Sequence, residues 1–64
     1  MARVAIKHDT MVGPNRVRTV MHFTRTEMCA QHARGMRQTA RDLPSKQIDV
    51  YESDHVVVIE RNLT

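Results

Sequence analysis

Apolar and polar residues alternate along two stretches near the start of the chain. Residues 2–8 place Val4 and Ile6 on one side and Arg3, Ala5 and Lys7 on the other, the two-residue period of a half-buried strand. Residues 16–24 alternate again, with Val17, Thr19, Met21 and Phe23 on one side and Arg18, Val20 and His22 on the other. The segment between them, DTMVGPN, carries the turn signal Gly13-Pro14-Asn15, so the two strands are expected to form an antiparallel hairpin. A register that sets Val4 and Ile6 opposite Met21 or Phe23 also brings Asp9 near Arg18.

The period then changes. Thr24-Arg25-Thr26-Glu27 matches a capping box, with Thr24 as N-cap, Glu27 returning to it, and Phe23 and Met28 as the hydrophobic staple. Cys29, Ala33, Met36, Ala40 and Leu43 follow at 4-3-4-3 spacing and line one face of a helix. Pro44 ends it at Leu43 or one residue earlier. Beyond the break, QIDVYE and HVVVIER flank Ser53-Asp54, which reads as a two-residue hairpin loop. Counting outward from that loop pairs Val50 with Val57 and Ile48 with Ile59 towards the helix. It also pairs Tyr51 with Val56, Asp49 with Val58 and Gln47 with Glu60 on the opposite face.

The expected architecture is therefore α+β: a single domain over 1–64, in the order ββαββ, with one helix packed on one face of a mainly antiparallel four-stranded sheet. No second helix is predicted to cover the far face, which by this alternation holds Ala5, Val20, Tyr51, Val56 and Val58 among Arg3, Arg18, His22, Asp49 and Glu60. Antiparallel sheets commonly leave one face to water, so a mixed, solvated face is the plain reading. The functional reading is a partner-binding or homodimer surface built on Val20, Tyr51, Val56 and Val58, motivated by the run Val56 to Ile59, which is apolar on both faces.

Composition narrows the chemistry. A chain of 64 residues buries only roughly 60% of its unfolded surface, and with 41% apolar residues, one Phe, one Tyr and no Trp its core must be aliphatic. One cysteine allows no intrachain disulfide or multi-thiolate zinc cluster and points to a reducing, cytoplasmic setting. The first residues contain no apolar block of signal-peptide length, so neither export nor a membrane association is expected. The formal charge of +3 favours acidic partners, and eight of the ten cations are Arg, which suits carboxylate and phosphate contacts.

Arg34, Arg37 and Arg41 share one helix stripe, which makes nucleic acid the alternative partner, with Arg16, Arg18 and Lys7 adding to the field if the sheet order allows. Scarce aromatics argue against single-strand stacking. Gly35, in mid-helix on the flank of Met28, His32, Thr39 and Asp42, costs about 1 kcal/mol relative to Ala and so marks close approach by a loop of the same chain or by a partner. His8, His22, His32 and His55 have no paired ligand spacing, so no metal or other cofactor is expected. Cys29 is read as a core residue, and no catalytic motif appears, so the chain is read as non-enzymatic. Short Arg- and Met-rich chains of this kind are, by analogy, often viral or mobile-element products that inhibit a host protein.

Overall fold

The computed structural model describes residues 4–64, and side chains from Ile6 onward. Its elements are β1 (Val4–Gly13), β2 (Arg16–Phe23), α1 (Thr26–Asp42), a short 3-10 turn (Pro44–Lys46), β3 (Asp49–Glu52) and β4 (Val56–Asn62). Every pairing in the four-stranded sheet is antiparallel, in the order β1-β2-β4-β3, and the helix lies between β2 and β3 in the chain. This is the α+β ββαββ arrangement that the alternation predicts. The two hairpins join through β2 and β4, so the two central strands of the sheet are also the ones that carry most of the buried residues.

Val17, Met21 and Phe23 of β2, Val57 and Ile59 of β4, and Cys29 and Ala33 of the helix are buried. Met28, Met36, Ile48 and Val50 pack around the cluster that most of these residues form. Each large side chain so enclosed contributes roughly 1.5–3 kcal/mol. The helix meets the sheet at two small inward residues, Cys29 and Ala33, both fully buried, which lets it seat closely over β2, β4 and β3. Its backbone makes no close approach to β1. Leu43, expected to complete the inward stripe, is instead the exposed residue just past the helix end, because the helix stops at Asp42 ahead of Pro44.

Three local expectations are corrected. The strand predicted over 2–8 runs on to Gly13, so DTMV belongs to β1 rather than to the connection, and the turn proper is Pro14-Asn15. Its pairing steps past Ala5: Val4 lies opposite Phe23, but Ile6 lies opposite His22, and Asp9 falls opposite Thr19 rather than near Arg18. One extra residue in one strand turns every following side chain over. Ile6 is therefore on the far face, while Lys7 and Asp9 take the helix side.

The capping box does not form. The helix N-cap is Arg25, in extended conformation with no side-chain cap, and its guanidinium pairs with Glu27 instead. Strand pairing persists to the Phe23 amide, which donates to the His55 carbonyl at 2.7 Å, and the first helical bond runs from the Cys29 amide to the Arg25 carbonyl at 3.2 Å, so Thr24 lies in the corner one residue ahead of the cap position. Met28 still packs onto the cluster that contains Phe23.

In the second hairpin the loop is Asp54-His55, with the Ser53 amide donating to the Val56 carbonyl at 2.9 Å. Val50 thus pairs with Ile59, Tyr51 with Val58 and Asp49 with Glu60. The expected register is out by two residues, which preserves both faces while changing every partner.

Candidate interaction face

Pairing positions opposite one another lie on the same side of a sheet. The far face can therefore be read as rows crossing the strands. Ile6, His22 and Val56 form one row; His8, Val20, Val58 and Tyr51 form the next, across all four strands. Thr10, Arg18, Glu60 and Asp49 form the third, and Arg16 with Asn62 closes that end.

The four predicted contact residues thus come together: Val20 and Val58 are direct neighbours, Tyr51 lies beyond Val58, and Val56 sits one row over. Tyr51 is 56% exposed and Ile6 58% exposed, while Val20, Val56 and Val58 are half-buried among their neighbours. Ile6 is the residue that alternation missed, since only the step at Ala5 brings it here. The far-face placement expected for the Arg3 and Ala5 side chains, and the start of the strand at Ala2, lie outside the described residues.

The charged end of this face is internally paired. The Arg16 guanidinium reaches the Asp49 carboxylate at 2.7 Å and Glu60 at 3.5 Å, and Arg18 meets the other Glu60 oxygen at 3.0 Å. Arg16 also donates to the Gln47 carbonyl at 2.9 Å and to Asn62 at 3.0 Å. The hydrogen bond from Arg18, followed by the charges of Arg18 and Arg16, holds Glu60 below the ordinary glutamate range despite some desolvation. Arg16 and Arg18 accordingly hold the two hairpins together and do not add to a free positive field.

In the helix stripe only Arg37 is charge-paired among the described residues. Arg37 donates to Glu52 at 3.1 Å, and Arg41 donates to Gln38 at 2.9 Å, whose amide in turn donates to Asp42. Arg34 is exposed and forms no ion pair among the described residues. Gly35 is exposed, with nothing within 4 Å of where a Cβ would stand, so the close internal approach expected of it is absent.

The remaining candidates are dispersed. His8 and His22 lie on the far face, the His32 ring sits 5.5 Å from that of Phe23, and His55 Nδ1 lies 3.2 Å from the Phe23 carbonyl. No group of three or more His, Cys, Asp or Glu that could hold a metal occurs among the described residues. Cys29 is fully buried, with its thiol donating to the Ser53 carbonyl at 3.4 Å. Desolvation, and then the carboxylates of Glu52 and Asp54, push that thiol up and away from nucleophilic use. No helix among the described residues is long and apolar enough to cross a membrane.

The chain matches no protein-family model, no curated protein and no solved structure.

Proposed function

We propose that the chain is a non-enzymatic protein-binding module that engages a partner protein through the far face of its sheet. The observation that carries this reading is the apolar cluster of Val20, Val56, Val58 and Tyr51, with Ile6 beyond His22 and His8 on the same side, on a face that no helix among the described residues covers. An exposed aromatic flanked by aliphatic residues and bordered by a paired charge ladder has the build of an interface: an apolar centre with a polar rim. The ladder also fixes the backbone of the patch before contact, which lowers the ordering cost of binding. The helix arginines support a nucleic-acid reading less well, because Arg37, the middle of the three, is already paired with Glu52 within the chain.

Affinity capture from a cell lysate tests this, using the wild type beside Tyr51→Asp and Val56→Asp, each with and without nuclease. The expected result is a protein partner retained after nuclease and lost with both substitutions, while circular dichroism reports an intact fold. Retention abolished by nuclease and by Arg34→Glu with Arg41→Glu would transfer the function to the helix stripe. Retention unchanged by either face substitution would remove the far face.

A further inference from the structure

We infer that two copies of this chain pair through the free edge of β1, antiparallel about a twofold axis at His8, to form one continuous eight-stranded sheet. The proposal uses an edge and the helix-side row of β1, so it stands independently of the far-face reading. It begins with an unpartnered edge: β1 is the outermost strand, ten residues long, and the helix backbone stays away from it, although His32 and Met36 line a cavity with Lys7 and Asp9. A strand edge of that length presents a row of backbone donors and acceptors ready to take another strand. Its irregularities fall at the two ends, between Val4 and Ile6 and between Met11 and Gly13, which leaves residues 6–11 in regular pairing geometry.

Charge selects both the occupant and the register. Lys7 and Asp9 sit two residues apart on the helix side of β1, both exposed, and neither forms an ion pair among the described residues. A lone Lys in mid-strand guards an edge against pairing, but a Lys with an Asp two positions on is complementary to its own reverse. With the axis at His8, each Lys7 lies opposite the other copy's Asp9, which makes two ion pairs, and Ile6 lies opposite Thr10 on the far face. Moving the axis to Lys7 or to Asp9 sets like charges face to face. Asp9 is also held in place: Thr19 Oγ1 donates to its Oδ1 at 2.6 Å, which leaves Oδ2 for the incoming ammonium.

The other free edge cannot substitute. β3 has only four residues, and joining it to β1 of another copy would give an open, head-to-tail array rather than a closed pair. The β1 pair also has consequences for stability, since it gives the backbone groups along the free edge of β1 hydrogen-bond partners, in a chain whose buried core is small.

Sedimentation velocity up to about 1 mM chain is the first arm of the test. The wild type is expected to approach twice its 7.4 kDa mass as concentration rises. Lys7→Asp alone and Asp9→Lys alone each weaken self-association by roughly tenfold or more, by placing like charges opposite each other, and an equimolar mixture of the two restores the dimer. The second arm does not depend on those variants folding: His8→Cys is expected to give a disulfide-linked dimer under mild oxidation, because position 8 faces itself across the axis, whereas Thr10→Cys is not. A wild type that stays monomeric, a dimer indifferent to both charge reversals, or cross-linking through Thr10→Cys in preference to His8→Cys would each overturn the proposal. Assemblies that keep growing beyond two copies would indicate β1-to-β3 pairing and overturn it as well.

Discussion

β3 is four residues long, lies under the helix and is pinned on both faces, by Arg37 to Glu52 on one side and by Arg16 to Asp49 on the other. β1 at the opposite edge is ten residues long, does not lie under the helix, and carries Lys7, Asp9 and exposed Ile6, Met11 and Val12 without any ion pair among the described residues. The same sheet thus has one edge finished within the chain and one edge left open. Side chains that close on one another hold structure, and those left without partners are where a small domain has surface to offer. In this molecule the second set is concentrated in β1 and in the far-face rows that begin from it.

The sharpest way to break that contrast is a charge placed once in each half. Val57→Asp puts an unpaired carboxylate at a fully buried position of β4 and is expected to cost on the order of 4 kcal/mol, comparable to the whole stability of a domain this small. Ile6→Asp on the open strand is expected to stay within about 0.5 kcal/mol of the wild type. Urea titration followed by circular dichroism measures both, and comparable losses would mean that β1 is as much part of the core as β4.

A smaller effect probes the helix flank. Gly35→Ala is expected to gain about 1 kcal/mol, because nothing stands where the added methyl would go and the helix interior favours Ala. A loss would mean that the position is packed in solution.

The charge ladder that joins β2 to β4 has a pH signature. Glu60 is held below the ordinary glutamate range by Arg18 and Arg16, so the stabilisation it supplies is present above its unfolded value and lost as pH falls through the lowered folded value. Acid titration of the denaturation midpoint should therefore show a fall in that window that Glu60→Gln lacks. Smallest of all, Thr24→Ala should change stability by no more than a few tenths of a kcal/mol, since Thr24 forms no cap; a loss of about 1 kcal/mol would restore the capping box.

The element order and the two faces of the sheet were legible because alternation in β2 and β4 and the 4-3-4-3 helix stripe are strong signals over several residues each. The proposed contact residues Val20, Tyr51, Val56 and Val58 inherit that legibility, and they share a face even though the second hairpin slips by two. What alternation misses is any single-residue event. The extra residue at Ala5 reverses Ile6, Lys7 and Asp9, and no residue type in ARVAIKH marks it, since Ala accommodates a bulge without a characteristic side chain. The capping box is missed by one residue: the first helical bond is accepted by Arg25 rather than Thr24, a one-residue shift at the strand-to-helix corner that the Thr-x-x-Glu pattern does not express. The partners of Arg16 and Arg18 depended on the order β1-β2-β4-β3, which sequence spacing does not specify.

Residue-resolved amide hydrogen exchange, measured in dilute and in concentrated solution, tests the contrast between the two edges most directly. The account predicts that amides in β2 and β4 are protected at both concentrations, whereas the outward amides of residues 6–10 exchange freely when dilute and become protected when concentrated. Protection of those β1 amides at both concentrations, or a concentration-dependent gain on β3 in their place, would contradict it.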